Sequence, residues 1–251
     1  MRLLAPFVGK YRQKRDLLDL DSDLALAFHH GVTTPDKRFF YLKNSKAGCT
    51  TIAQLLHVHA FGDAYDGNIH THPELATGIR HWRTHLDAIE NPKTVKFTFT
   101  RHPADRLRSA FFNFFVDCEN EQRHAHWDNM VAMGFAVDGD IRYNFDVFLD
   151  YVALNFAETE RHCDQHWRGQ WISMGSGQID YDFIGKLENF GADIAEVFSR
   201  AGLPDLLKRS GGSCSYNRSS NGARDDLRFT RAQTAKIQAL YAADYEAFGY
   251  A

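Results

Sequence analysis

Residues 38–42, RFFYL, form an aromatic and aliphatic run too short for a helix and read as a buried strand. KNSKAGC follows, and then TTIAQLLHVHAF, in which Ile52, Leu55, Leu56 and His59 fall on one helical face, with Thr50 or Thr51 predicted as N-cap. The arrangement recurs at residues 94–100, TVKFTFT, which alternate apolar and polar side chains as a strand does. Arg101 and His102 make a turn, and Pro103 takes the first helical position, where its missing N–H costs nothing. The helix that follows carries Leu107, Ala110, Phe111, Phe114 and Phe115 on one face and Arg106, Ser109 and Asn113 on the other. IDYDFIGKL, residues 179–187, is a third predicted strand. A closing helix from about Thr230 to Phe248 has Ile237, Leu240, Tyr241, Tyr245 and Phe248 as its apolar stripe. Residues 210–226 are loop by composition. Such alternation predicts an α/β protein with a central, largely parallel sheet flanked by helices.

Composition narrows the classes. A chain of 251 residues is long enough for one domain with a substantial core. Lys and Arg number 29 against 32 Asp and Glu, a net charge of −3 that argues against a general nucleic-acid binder. No run approaches the ~18 apolar residues of a membrane span. The four cysteines, Cys49, Cys118, Cys163 and Cys214, contain no CxxC pair, so a reduced, intracellular protein is expected. The start, MRLLAPFVGKYRQKRDLLDL, is broken by Pro6 and Gly9 and reads neither as a signal peptide nor as an anchor. Cytoplasm is the expected compartment.

The two strand-to-helix turns carry the chemistry. In KNSKAGCTT, Gly48 lets the backbone approach a ligand, Lys46 adds a cation, Thr50 and Thr51 add hydroxyls, and the helix start favours an anion. The lysine precedes the single glycine, so this is not the GxxxxGK[ST] nucleotide loop. An ordinary turn with a surface lysine fits the same residues. Arg101 stands at the carboxyl end of a strand, where ligands of open α/β sheets bind, with Ser109 two turns along the next helix. Arginine with a nearby hydroxyl suits a phosphate dianion. Two such turns suggest one ligand with two separate anionic groups.

SKAGCTT resembles the 5′-phosphosulfate loop of sulfotransferases that use 3′-phosphoadenosine 5′-phosphosulfate (PAPS), and RHPADRLRSAFF resembles their 3′-phosphate motif. HWRGQ at 166–170, YDFIGKLENF at 181–190 and LYAADYEAFGY at 240–250 also match. Over roughly residues 38–250 the chain is similar to the chondroitin and HNK-1 type carbohydrate sulfotransferases. The resemblance implies a fold similar to nucleotide kinases, with residues 1–37 as an N-terminal extension and 38–251 as the sulfotransferase domain. It implies that Lys46, Ala47, Gly48, Cys49, Thr50 and Thr51 wrap the 5′-phosphosulfate. Arg101 and Ser109 would hold the 3′-phosphate, and Arg218 would close over the nucleotide, leaving PAP as product. The acceptor is expected to be a hydroxyl of a polysaccharide, oligosaccharide or glycolipid. Ser45 departs from the pattern, which has proline there, and a less stiff loop is expected.

In-line sulfuryl transfer builds negative charge on the departing phosphate oxygen, where Lys46 and loop N–H groups can stabilise it. A base near neutral pKa takes the acceptor's proton, and histidine fits. His70 is the favoured base and His72 the second choice, because related heparan 2-O-sulfotransferases carry a catalytic H-x-H in a similar interval. The alternative is that both are loop histidines capping a helix that begins near Pro73. His81 with His85 and His162 with His166 have i,i+4 spacing, yet neither lies in an HExxH and no metal is expected. They read as solvent-facing helical histidines, except that His166 with Trp167 is better read as a family structural motif that lines the acceptor cleft. Cys49 would be a phosphatase nucleophile only with arginine six positions on, where Leu55 stands.

Two rivals stay open: a kinase-like phosphotransferase, which would need a GK[ST] loop and a metal-binding aspartate, and a glycan-binding protein without turnover. Acceptor recognition is expected within about 117–178, whose aromatic residues fit core packing better than sugar stacking. The animal relatives are Golgi membrane proteins. A chain that begins almost at its catalytic domain is therefore expected to be a soluble, bacterial, cytoplasmic form.

Overall fold

The computed structural model describes residues 19–72, 74–209 and 227–251. In chain order the principal elements are α1 (Ser22–Phe28), β1 (Gly31–Thr33), β2 (Phe39–Leu42), α2 (Cys49–Phe61), β3 (Ala76–Thr77), α3 (Trp82–Glu90), β4 (Val95–Thr100) and α4 (Pro103–Phe111). There follow α5 (His124–Ala132), α6 (Ile141–Thr159), α7 (Gln170–Ser173), β5 (Phe183–Lys186), α8 (Phe190–Arg200), α9 (Arg231–Leu240) and α10 (Ala242–Phe248). The strands form one sheet in the order β3-β1-β2-β4-β5.

The sheet is mixed, which corrects the expectation of a largely parallel one. β2, β4 and β5 are parallel, but β1 runs antiparallel to both β2 and β3. The reason is local: β1 and β2 are joined by a short connection that reverses the chain, which only an antiparallel pair accepts. β1 also draws part of the stretch expected as an N-terminal extension into the sheet, and α1 packs behind it with Leu24, Ala27 and Phe28 buried.

β2 is buried on both faces. Phe39 and Tyr41 face α2 and α8, in a cluster with Ile52, Leu55, Leu56, Phe97 and Val197. Phe40 and Leu42 face the opposite layer, with Phe28, Ala88 and Met174. A third cluster lies outside the sheet, where α4, α6 and α9 pack around Phe111, Phe114, Phe115, Phe148 and Trp167. Phe114, Phe115 and Trp167 are therefore core, and their burial leaves no face for a sugar ring.

The predicted closing helix is interrupted at Tyr241 (φ −109°, ψ 26°), which separates α9 from α10. Its start agrees with the expected position near Thr230, and there the structure adds a reciprocal capping box between Thr230 and Gln233. The long helix after Pro103 also changes character. Beyond α4 the chain widens into a π turn at Phe112–Val116, closed by the Asp117 N–H donating to the Phe112 carbonyl. Such turns commonly mark functional positions. Here it carries Asn113.

His85 departs from the solvent-facing reading. It is 0% exposed, bonded through Nδ1 to Thr33 Oγ1 at 2.8 Å and through Nε2 to the Gly78 carbonyl at 3.1 Å. The i,i+4 spacing placed it on the inner face of α3, and its partners come from β1 and from the turn before α3.

Candidate active site

Parallel pairing of β2 with β4 sets Leu42 opposite Thr98, so the loops that leave both strands emerge side by side at one edge of the sheet. The first loop spans residues 43–48. Lys46 (φ 67°) and Gly48 (φ 81°) are both left-handed. A turn of this kind gathers backbone N–H groups into an anion-binding concavity. Gly48 is also the N-cap of α2 and supplies no side-chain cap. The 13 residues of α2 thus present their positive end to the same space. Glycine is required at 48: its φ disfavours a side chain, and a Cβ there would lie 3.0 Å from Leu187 Cδ1. Ala47 is buried beneath the loop, Cys49 opens α2 half-buried, and Thr51 faces the core.

Arg101 leaves β4 beside this loop, with Nη1 donating to the Lys46 carbonyl at 3.3 Å. Ser109 lies on the partly exposed face of α4. The two turns are therefore in direct contact. Arg218 lies outside the described residues.

Two residues join the turns. Arg106 is 1% exposed, and its guanidinium reaches three carbonyls: Ser45 through Nε, Arg168 through Nη1 and Gln165 through Nη2, each at 2.8 Å. The Ser45 carbonyl is pinned in this way, so the loop is fixed without the proline that the family pattern carries. Gln170, 0% exposed, accepts at Oε1 from the Arg101 N–H and from Asn44 Nδ2, both at 2.9 Å. Its Nε2 donates back to the Arg101 carbonyl at 2.9 Å and to Asp244 Oδ2 at 3.2 Å. Asp244 in turn accepts the N–H groups of Gln170 and Trp171, capping α7. Replacing Gln170 by leucine strands several of these groups and should destabilise the fold by about 2–4 kcal/mol. Urea unfolding of both forms measures it.

Arg106, Asn113, Gln170 and Asp244 were not assigned roles from the sequence. Arg106 and Gln170 stand inside quoted motifs, RHPADRLRSA and HWRGQ, but the partner of each lies far along the chain. Asn113 Oδ1 accepts from Lys46 Nζ, a contact made possible by the π turn. Glu188 Oε1 accepts the His102 N–H at 2.7 Å, and Asp182 Oδ2 accepts the Lys96 N–H at 2.8 Å, so both carboxylates serve local structure.

The two expected base candidates separate. His70 lies at the loop: its Nε2 is 3.1 Å from Thr50 Oγ1. Burial lowers its pKa to about 4, with Lys43 and His166 adding to the effect. His72 is buried, and both ring nitrogens are engaged. Nδ1 accepts from the Glu74 and Leu75 N–H groups at 3.2 and 3.3 Å, and Nε2 meets His57 Nε2 at 3.2 Å. It shapes the chain after His70.

His166, read from the sequence as part of a family motif with Trp167, is only 13% exposed. It lies against Phe114 with ring centroids 4.8 Å apart and bonds to Asp164 through Nδ1 at 2.7 Å. His30 joins this region; burial lowers its pKa to about 3, with Lys43, Arg168, His29 and His166 contributing. Lys43 and His166 thus sit close enough to both His30 and His70 to lower their proton affinity. Among the described residues no cluster of His, Cys, Asp and Glu has a metal-binding arrangement.

The two strand-to-helix turns of this mixed α/β sheet thus meet at the start of α2, where their cationic groups and backbone N–H groups favour an anion. The sequence profile of the Sulfotransferase family matches residues 29–251, and the chain belongs to that family. It is similar to carbohydrate sulfotransferase 12 of Xenopus laevis, 29% identical over 73% of this chain and 48% of that protein. It is also similar to carbohydrate sulfotransferase 11 of Mus musculus, 24% identical over 71% of this chain and 54% of that protein. Carbohydrate sulfotransferase 14 of Danio rerio is 30% identical over 45% of this chain and 31% of its own length. The chain spans between 31% and 54% of the length of these relatives. No solved structure matches it significantly.

These relatives overturn the expectation of a soluble, bacterial, cytoplasmic protein. They are vertebrate carbohydrate sulfotransferases, of the group whose animal members the resemblance places in the Golgi membrane. The expectation rested on where this chain begins, and a chain matching half of its relatives carries no information about compartment there. Among the described residues no helix is long and apolar enough to cross a membrane.

Proposed function

We propose that the protein transfers a sulfuryl group from PAPS to a hydroxyl of a carbohydrate acceptor. The observation that carries this reading is the contact between the two turns, with Arg101 Nη1 on the carbonyl of Lys46. One cofactor with anionic groups at its two ends spans both. The 5′-phosphosulfate would lie against Lys46, Ala47, Gly48, Cys49, Thr50 and Thr51, taking the N–H groups at the start of α2 and the hydroxyls. The 3′-phosphate would lie against Arg101 and Ser109. The left-handed loop and the helix start without a side-chain cap fit such a group. The acceptor class rests on the relatives named above.

In this reading the acceptor oxygen bonds to sulfur as the bond from sulfur to the phosphate oxygen breaks. The electron pair leaves on that oxygen, beside Lys46, and the hydroxyl proton passes to a neutral histidine at the loop. Neutral imidazole is available because burial depresses the histidines there, His70 to about 4.

PAP at about 100 times its Kd should add about 2.7 kcal/mol of stability. For a chain of this length that amounts to a rise of roughly 5–10 °C in Tm. Arg101→Ala should remove most of the shift while leaving the Tm of the PAP-free protein within about 2 °C. A wild-type protein whose Tm does not move at saturating PAP would end the cofactor assignment.

A further inference from the structure

Asp164, His166, His126 and Tyr151 form a hydrogen-bonded series that no part of the transfer scheme above uses. Tyr151 O–H meets His126 Nδ1 at 2.8 Å, His126 Nε2 meets Asp164 Oδ2 at 3.1 Å, and Asp164 Oδ1 meets His166 Nδ1 at 2.7 Å. The His166 N–H also donates to Asp164 Oδ1, at 2.8 Å, which fixes the ring against its own carboxylate. Burial alone would raise the Asp164 pKa. Hydrogen bonds from His126 and His166 outweigh it and hold the carboxyl well below the usual range. A carboxylate only accepts, so the ring nitrogens that face it carry the protons. In the neutral state His166 is then the Nδ1–H tautomer, with a lone pair on Nε2. Among the described residues that Nε2 has no hydrogen-bond partner, and it is not enclosed.

The series ends at the loop. Arg106 clamps the carbonyls on either side of His166, those of Gln165 and Arg168, to the carbonyl of Ser45, the residue before Lys46. The His166 ring packs on Phe114, whose neighbour Asn113 holds Lys46 Nζ. His70, by contrast, turns its Nε2 to Thr50, on the cofactor side.

We propose that His166, oriented by Asp164, is the catalytic residue that takes the acceptor's proton at Nε2, and that His70 is a positioning residue for Thr50. This assignment rests on the transfer reading above. The acceptor O–H proton goes to His166 Nε2 as the oxygen bonds to sulfur, and the electron pair of the breaking bond leaves on the phosphate. Lys46 from the loop, Arg106 from α4, His70 from the turn at 69–71 and His30 before β1 face the ring, opposed by Asp164. Burial, Lys46 and Arg106 outweigh Asp164 and keep the imidazole below its ordinary value, hence neutral at pH 7. Asp164 in turn supports the imidazolium as it forms.

The test uses the full chain, radiolabelled PAPS, and unsulfated chondroitin beside mixed neutral glycans as acceptors. His166→Ala and His166→Gln should each lower kcat by about 10²–10⁴ while PAP affinity stays within about threefold. Asp164→Asn should lower kcat and move the acid limb of the kcat profile to lower pH, because the charge that favours the imidazolium is gone. Turnover of the His166 variants within tenfold of wild type, or an acid limb unmoved in Asp164→Asn, overturns the assignment. So does a His166→Gln variant that loses PAP affinity in step with turnover, which would place the ring on the cofactor. A two-bond proton–nitrogen spectrum of the wild-type protein reads the tautomer without any acceptor, and an Nε2–H form overturns the proposal independently. A wild-type protein that binds PAP yet sulfates neither acceptor, with the Nδ1–H tautomer present, defeats the transfer reading instead, and the base assignment with it.

Discussion

Replacing Arg106 by methionine should destabilise the protein by about 3–5 kcal/mol, the largest stability loss expected from a single site here. Methionine fills most of the space but donates nothing. Three carbonyls, of Ser45, Gln165 and Arg168, lose their shared donor in a region where Arg106 itself is 1% exposed. Each stranded acceptor costs about 1–3 kcal/mol, reduced where water or local movement compensates. For a chain of this length the loss corresponds to roughly 6–20 °C in Tm. Arg106→Lys should recover only part of it, since an ammonium cannot reach three carbonyls in the plane of the guanidinium fork. Thermal unfolding of the three proteins decides the matter. A loss below about 1 kcal/mol for methionine would show that the clamp is not what holds the 165–168 segment to the loop.

Lys46→Ala should lower kcat by about 10²–10³ with only a modest change in stability. Lys46 is only partly buried, and truncating it removes, among others, its contact with Asn113 Oδ1. In the proposed reaction its charge matters most where the breaking bond leaves electrons on phosphate, a demand greater in the transition state than in the ground state. The loss should therefore fall on kcat more than on KM for PAPS. Asn113→Ala provides the companion measurement, because it removes one partner of the ammonium and keeps the charge, and it should lower kcat by no more than about tenfold. Equal losses in the two variants would mean that the position of Lys46, not its charge, is what Asn113 and the loop maintain.

The strands around RFFYL and TVKFTFT, the helices that follow each of them, and the loop holding Lys46 and Gly48 were legible from residue order alone. These features are local: a strand ending, a glycine and a helix start lie within ten residues of one another, and their geometry follows from backbone preferences over that distance. The family was legible for the same reason, because its motifs are short and contiguous.

What the sequence could not carry depends on residues that meet across the chain. The antiparallel β1 was hidden in a stretch read as an extension, since three residues leave too little pattern to count. Arg106 was placed only on the polar face of its helix, because its three carbonyl partners stand 59 to 62 positions away. Gln170 joins the two turns from 69 and 126 residues' distance. His72 matched an expected pattern, but only its contacts with His57, Glu74 and Leu75 show both ring nitrogens engaged. His166 stood inside a matched motif, but only Asp164 and Arg106 show where its ring stands. Sequence order determined which groups the proposed site has at hand. The tertiary structure decided which of them are oriented, because orientation comes from hydrogen bonds between segments that order alone does not bring together.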